Sequence, residues 1–261
     1  MTAVTTDRAA CGTTTEALGA LAAEGATGAL SGERGIVYLR AGRVVHVESA
    51  FTPDIGTLLT RSGAVPPDGW WEAVDEGGTQ HRVGHRLVTG GRLAAGALEL
   101  CHLGALFDAA YFVLAHDTRA QRFRPGAAHW LGAVRSVSVD TVVRESRRRR
   151  DLLERIWPDP DIDVVPLTRV PDADTGDLPA RRGRTLTQVD GVRTAAEIAA
   201  SLACRTYHTL VELRRLAADG LVTTAPRPAA PDTAGREAYP AAWDDPDTAL
   251  LRRLRDALEA L

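Results

Sequence analysis

The side chains best placed to contact a nucleic acid lie around a short helix near residue 210. Apolar residues at helical spacing predict this helix, with Leu210, Leu213 and Leu216 on one face. Its other face is predicted to be exposed and has polar side chains that could reach phosphates or base edges, namely Arg205, His208, Glu212 and Arg215. With the turn before it, the predicted DNA contacts are Arg193, Arg205, Thr206, Tyr207, His208 and Arg215.

Two histidines have the spacing of metal ligands on one helix face. His81 and His85 are four residues apart, as in zinc-binding helices. Gly84 lies between them, and the nearby sequence has no third ligand. We therefore expect no metal site and no cofactor.

The chain has none of the common short catalytic motifs. There is no GxSxG, no phosphate-binding loop, no GxGxxG after a strand and no HExxH. No nucleophile, base and orienting residue are clustered in sequence. We therefore expect no catalytic residues and no enzymatic activity.

The densest run of charge is Arg147-Arg148-Arg149-Arg150. Four consecutive helical residues wrap around the axis, so they do not form one stripe. Glu145, Asp151 and Glu154 can pair with them at helical spacing. A solvated, paired helix face is the favoured interpretation, and a phosphate-contacting patch is the alternative.

Composition excludes a general attraction to nucleic acid or to anionic lipid. All 31 cations of the 261 residues are arginine, and the formal net charge is −3. Any nucleic-acid site must therefore be local. No run of 18 apolar residues and no signal-peptide pattern occur, so we expect a cytoplasmic protein without membrane contact.

The elements around the predicted recognition helix have clear start and stop signals. Thr194 is a good N-cap for a helix over Ala195–Leu202, and Glu197 completes a capping box. Gly220 ends the second helix, and residues 221–223 can open a β-ribbon. Two short helices followed by a strand are the layout of a winged helix.

The stretch Gly183–Val222 resembles bacterial winged-helix domains with the pattern VDGxRTxxEIA…L…L…GLV. The resemblance covers about forty residues and implies contact with DNA. The alternative is a winged helix that does not touch DNA, because such domains also serve as protein-docking modules. The precursor-peptide-binding modules of peptide-modifying enzymes have a similar opening. The second helix is not strongly basic, which limits phosphate-driven affinity.

The first half of the chain mixes strands and helices. β-Branched residues and a tight turn at 40–43 predict a three-stranded antiparallel meander across Thr27–Ser49. Thr15 could cap a helix over Glu16–Glu24. A further strand is expected within 117–126, with Phe123 inward. Long helices are expected at 97–115 and 137–157.

Residues 55–72 and 83–100 form an internal repeat with an offset of 28. Each copy is predicted to be a helix, a glycine cap, an apolar anchor and a second helix. Trp70 falls opposite Leu98 and should be buried. Trp71 should then point outward, because adjacent helical residues are about 100° apart. Trp71 is therefore a candidate for contact with a partner, although it could equally pack on a linker.

Residues 15–158 resemble the PATAN family of bacterial regulatory domains. The resemblance rests on ATGALSGERGIVYLRAGRVVHVES, IGTLLTRSG, VGHRLVTGG and VDTVVRESRRRRDLLERIW. It implies a non-enzymatic signalling adaptor, often linked to small-GTPase and roadblock-type systems. The resulting fold class is α+β, with N-terminal antiparallel strands packed with helical hairpin repeats, followed by a small winged-helix-like domain.

The predicted domain organisation has six parts. They are a disordered N-terminus (1–14), a PATAN-like adaptor domain (15–158), a linker (159–181), a winged-helix-like domain (182–225), a second linker (226–247) and a C-terminal amphipathic helix (248–261). The last helix is too short to be stable alone, so it must dock or bind a partner. Its predicted partner-binding residues are Leu250, Leu254, Leu258 and Leu261.

Two functions are consistent with this organisation. The first is a transcriptional regulator whose winged helix contacts DNA and whose PATAN-like domain dimerises or receives a signal. We expect a homodimer in that case, because one weakly basic helix needs a second half-site. The second is a protein–protein adaptor in a small-GTPase or roadblock module that binds no DNA.

Overall fold

The computed structural model describes residues 8–9, 12–115, 118–171, 173, 175–176 and 178–224. These residues all belong to one compact unit, Met1–Ala225. The predicted second linker and the C-terminal helix with Leu250, Leu254, Leu258 and Leu261 lie outside the described residues. The described part is α+β.

The strands are β1 (Arg8–Ala9), β2 (Gly28–Gly32), β3 (Gly35–Arg40), β4 (Arg43–Glu48), β5 (Ala120–Pro125), β6 (Val137–Ser138), β7 (Leu167–Arg169) and β8 (Val222–Thr224). The helices are α1 (Thr14–Ala23), α2 (Ile55–Arg61), α3 (Pro67–Gly77), α4 (Val83–Thr89), α5 (Ala95–Val113), α6 (Val139–Ile156), α7 (Ala180–Thr187), α8 (Ala195–Ser201) and α9 (Thr206–Ala218). Two 3-10 turns cover Gly78–Gln80 and Pro160–Asp163.

Six strands form one antiparallel sheet in the order β1-β5-β2-β3-β4-β6. The predicted meander is therefore confirmed as β2, β3 and β4. The predicted strand within 117–126 is β5, which pairs with the outer side of β2 and places Phe123 in the core. Apolar side chains on one face of this sheet pack against α1, α5 and α6.

The first helix begins two residues earlier than the sequence predicts. Thr13, not Thr15, is the N-cap, and its hydroxyl accepts a hydrogen bond from the Glu16 backbone. The Glu16 carboxylate accepts one from the Thr13 backbone in return, which completes a capping box. Within the N-terminus that was expected to be disordered, Arg8–Ala9 pair with β5.

Helices α2 to α4 and the first turns of α5 surround a separate apolar cluster. After α2, the backbone of Val65 donates to Leu59, and after α4 that of Leu93 donates to Leu87. Val65 and Leu93 are both buried in this cluster. Trp70 is buried there as expected, and Trp71 is exposed.

Part of the predicted linker 159–181 is instead regular structure. Ile162 in the second 3-10 turn and Leu167 in β7 are fully buried. β7 pairs with β8 in a two-stranded antiparallel ribbon. The Pro and Asp content of this stretch indicated a linker. It did not predict the burial of Ile162 and Leu167, because that burial depends on residues far along the chain.

A third apolar cluster joins elements from both halves of the sequence. It contains Tyr111 and Phe112 of α5 and Leu153 of α6, together with side chains from β7, β8 and α7 to α9. The domain boundary predicted between residues 158 and 182 therefore runs through a shared core.

Helix α5 lies at the centre of the described structure and contributes to all three clusters. Its length and apolar composition would allow it to cross a membrane, and no other described helix meets that test. However, 61% of the apolar window is buried inside the protein, as for a core helix.

Candidate functional site

The N-terminal half of α9 is packed against α5 and α6. Thr206 and Tyr207 are buried. The Tyr207 backbone N–H donates a 3.1 Å hydrogen bond to a carboxylate oxygen of Asp108 in α5. The guanidinium of Arg149 in α6 lies 4.4 Å from the centre of the Tyr207 ring. Thr206 and Tyr207, two of the predicted DNA contacts, therefore face protein in this arrangement.

Arg149 connects the three helices, and Asp108, Arg149 and Tyr207 form what we call the α9 docking cluster. Nη1 of Arg149 donates to the other Asp108 oxygen at 2.7 Å, and Nε of Arg149 donates to Glu145 at 2.8 Å. Asp108 and Arg149 are both buried. An ion pair removed from water in this way requires good geometry and further hydrogen bonds, and here the carboxylate of Glu145 and the backbone N–H of Tyr207 supply them.

Two of the other arginines of the 147–150 run, Arg148 and Arg150, also have protein partners, and of the expected carboxylates Glu145 is the one that pairs with the run among the described residues. Arg148 forms two hydrogen bonds with Glu145, at 2.7 and 2.8 Å. These two bonds have the largest effect on the pKa of Glu145, and they lower it. The hydrogen bond from Arg149 adds to this, so the pKa lies below its ordinary value despite partial burial. Arg150 donates to the carbonyl of Leu114.

Arg205 and His208 lie together at the edge of this docked surface. Arg205 is half-buried and approaches the His208 ring at 3.2 Å. The Arg205 side chain packs against Gly104 of α5. A Cβ atom at position 104 would lie 2.6 Å from the Arg205 side chain. Burial, and then the nearby charges of Arg205 and Arg181, lower the pKa of His208, which favours the neutral ring.

Arg193 and Arg215 are more accessible, and both have acidic neighbours. Arg193 lies 3.3 Å from Asp190 and also donates to Gln188. Arg215 lies 3.2 Å from Glu212. The structure thus brings Arg205, Thr206, Tyr207 and His208 into one region without leaving them as a continuous exposed cationic face.

The face of α9 that was expected to be exposed is partly a second buried interface. Glu212 is buried. Arg214, on the neighbouring side of the helix, is fully buried and forms a two-pronged pair with Asp163 at 2.8 and 3.0 Å. The Tyr111 hydroxyl donates to the same carboxylate, and burial together with Asp163 strongly raises the pKa of Tyr111.

A group of aromatic and acidic side chains, not foreseen from the sequence, lies where β4 extends beyond β6. We call His46, His102 and His129 with Glu48 and Tyr38 the histidine cluster. His46 and Glu48 are two residues apart on β4 and therefore share a face. Tyr38 is the cross-strand partner of His46. His102 comes from α5, and His129 comes from the connection between β5 and β6.

The histidine rings of this cluster stack on one another, with His46 between His129 and His102. The ring centres of His46 and His129 are 3.7 Å apart, and those of His46 and His102 are 5.3 Å apart. Glu48 accepts a hydrogen bond from Tyr38 at 3.1 Å and lies 2.8 Å from Nε2 of His129. One donor atom each from His46, Glu48 and His129 lies within 4.8 Å of the other two, so these residues could hold a metal.

Burial keeps at least two of these imidazoles uncharged. It lowers the pKa of His46 well below the ordinary value, and the other two histidines add to the effect. Burial also lowers the pKa of His102 to about 4. His102 Nε2 contacts the Val45 carbonyl at 2.9 Å. A neutral His102 ring donates its Nε2 proton to this carbonyl, so its Nδ1 has a lone pair and no proton.

The sequence offered only one signal for this cluster. A His-x-Glu on an alternating strand places both side chains on one face, but His102 and His129 are far away along the chain. The pair that was considered, His81 and His85, does not share a helix. His81 has a left-handed backbone conformation before α4 begins at Val83.

Comparisons with models of protein families, with curated proteins and with solved structures found no match for this chain.

Proposed function

We propose that this protein is a non-enzymatic bacterial adaptor that acts through protein–protein contacts. In this proposal, a PATAN-like unit (15–158) bears a winged-helix-like segment (182–225) docked against its own helices. The order α7, α8, α9 and the β7–β8 ribbon support the winged-helix-like interpretation. The main support for the adaptor function is the α9 docking cluster, since it occupies the part of α9 that would have to enter a DNA groove.

The pairing of charges around α9 supports the same conclusion. Arg182 contacts Glu212 and, at 2.7 Å, Asp219. Arg215 shares Glu212. Arginines that are paired with carboxylates release few counterions from DNA, so this surface offers little phosphate-driven affinity.

The exposed apolar side chains are candidates for the partner surface. Trp71 on α3 is 63% exposed and Leu100 on α5 is 74% exposed. Tryptophan is enriched at the centres of protein interfaces, so Trp71 is the stronger candidate of the two. The partner is a protein, with a roadblock or small-GTPase protein as the first class to examine. A second copy of the chain, in a cytoplasmic homodimer, is the other class.

The proposal is tested by purifying the tagged full chain from its native host and analysing co-purified protein and DNA together. We expect a stoichiometric protein partner that is lost with Trp71→Ser and retained with the matched surface variant Val192→Ser. Val192 is also largely exposed. Discrete DNA peaks without a protein partner would refute the adaptor function.

A DNA-binding regulator is the second candidate, and one observation favours it. Arg181 and Arg205 both lie near enough to His208 to influence its pKa, so two cations converge beside α9. In this case, binding to DNA would weaken steeply with salt and would be lost in the Arg205→Ala, Arg215→Ala double variant. The adaptor function instead predicts little binding at any salt concentration.

A further inference from the structure

We propose that His46, Glu48 and His129 of the histidine cluster bind one divalent transition-metal ion of the Zn²⁺ class. Two imidazoles and one carboxylate are a donor set that suits Zn²⁺ and not Ca²⁺ or Mg²⁺, which prefer oxygen ligands. The three residues come from one strand and one loop that meet at the part of β4 beyond its pairing with β6.

The spacing of the donor atoms is close to that of a coordination sphere. They lie within 4.8 Å of one another. Zinc bonds of about 2.1 Å place tetrahedral ligand atoms roughly 3.4 Å apart. Nε2 of His129 and the Glu48 oxygen, which are 2.8 Å apart, therefore need to separate slightly, and any pair near the 4.8 Å limit needs to close. Glu48 has the freedom to move, because 38% of its side chain is exposed.

A buried nitrogen without a partner indicates that this cluster is incomplete as a purely structural network. His46 is almost fully buried, yet its Nδ1 has no hydrogen-bond partner among the described residues. Buried polar atoms without partners are uncommon in folded proteins, and a bound ion can supply the missing contact.

His129 shows where the ion would sit. The Leu131 N–H donates to His129 Nδ1 at 3.2 Å, so the neutral ring has its proton on Nε2, facing Glu48. The ion takes the place of this proton between ring and carboxylate. The proton moves to Nδ1, and the hydrogen bond from Leu131 is lost.

Two neighbours orient the ligands. Tyr38 donates to the second oxygen of Glu48, which leaves the first oxygen directed at His129. His102 stacks on His46 and is itself held by the Val45 carbonyl. Such outer contacts typically fix ring orientation in metal sites. Three protein ligands leave one coordination position for water.

The test uses the full chain after chelator treatment, with Co²⁺ as a spectroscopic probe and Zn²⁺ as a competitor. We expect one Co²⁺ per chain, visible ligand-field absorption, and displacement by Zn²⁺ in calorimetry. His46→Gln and Glu48→Gln should each weaken binding at least about tenfold. The His81→Gln, His85→Gln double variant removes two exposed histidines and should bind as the unchanged protein does.

Three outcomes would overturn the proposal. They are no Co²⁺ absorption, unchanged affinity in Glu48→Gln, or loss of binding in the control double variant. Glu48→Gln decides the question even if His46→Gln does not fold. Glutamine keeps the shape of the side chain and can still accept from Tyr38 or His129, and far-UV circular dichroism checks its fold.

Discussion

Single arginines have the most unexpected surroundings in this protein. Arg149 belongs to a run of four arginines and Arg214 lies next to Arg215, which was expected to be exposed, yet Arg149 and Arg214 are both buried against carboxylates. A buried guanidinium is tolerated only where its hydrogen bonds are satisfied, and Asp108 and Asp163 supply those acceptors. At the residue scale, two buried ion pairs therefore lie where α9 meets α5, α6 and the second 3-10 turn.

At this scale, Asp163→Ala should be among the most destabilising single substitutions. It leaves the charge of Arg214 and the hydroxyl of Tyr111 buried without their acceptor. The expected loss is about 3–5 kcal/mol in the free energy of unfolding, measured by urea denaturation. Glu99→Gln, in the exposed pair with Arg135, is the control and should cost less than about 1 kcal/mol. Equal effects of the two substitutions would contradict a stabilising role for the buried pair.

At the scale of elements, short helices are positioned by their caps and by what covers them. Thr194 and Glu197 close a capping box at the start of α8, and Glu197 has a lowered pKa because the Thr194 backbone donates to it. Gly220, with φ of 71°, ends α9 in the left-handed conformation that glycine adopts readily. These local devices explain why α8 begins after Thr194 and why α9 ends before Gly220, as the sequence indicates.

Thr194→Ala should destabilise the protein by about 1 kcal/mol, because the Glu197 N–H loses its acceptor. The midpoint of chemical denaturation measures this change. Thr223→Ala, an exposed threonine of β8, removes the same atoms without a cap and should change the midpoint less. A larger effect at Thr223 would argue against stabilisation by the cap.

The start of α9 should loosen when its acceptor on α5 is removed. Asp108→Ala deletes the partner of the Tyr207 N–H, so protection of that amide from hydrogen exchange should fall by roughly tenfold or more. Glu145 is the other carboxylate that contacts Arg149, but it has no hydrogen bond to Tyr207. Glu145→Gln is therefore the matched control, with little expected change at Tyr207. Unaltered protection in Asp108→Ala would show that packing alone holds α9.

At the scale of the whole molecule, the described part has continuous packing through α5. This helix contributes to the clusters beneath the sheet, among the hairpin helices and around α9. A segment whose apolar face is covered by another segment gains stability from it, so unfolding of the two should be coupled.

Leu213→Ala should therefore destabilise the distant sheet as well as α9. Leu213 is fully buried in the cluster around α9, and its truncation should cost about 2–5 kcal/mol. Hydrogen exchange at the Val37 amide in β3 should show that the free energy of opening falls by the same amount. Leu100→Ala, at an exposed position of α5, should change neither region. A sheet that is unaffected by Leu213→Ala would instead support independent domains on either side of residues 159–181.

The sequence alone determined the local elements. β-Branched residues and a tight turn predicted the β2–β4 meander, helical spacing predicted α8 and α9, and Thr194 and Gly220 marked the start of α8 and the end of α9, because these signals depend on neighbours within a few positions. Trp70 and Trp71 were also assigned correctly to core and surface, since helix geometry separates adjacent side chains.

Only the tertiary structure decided which polar groups meet. Asp108 and Tyr207 are 99 residues apart, and Glu48 and His129 are 81 apart, so no local pattern reports their contact. The same holds for Ile162 and Leu167. They lie in a Pro- and Asp-rich stretch that indicated a linker, and residues far away along the chain bury them. Burial and charge pairing are properties of the packed chain, and in this protein they determine which face of α9 is available and where the histidines gather.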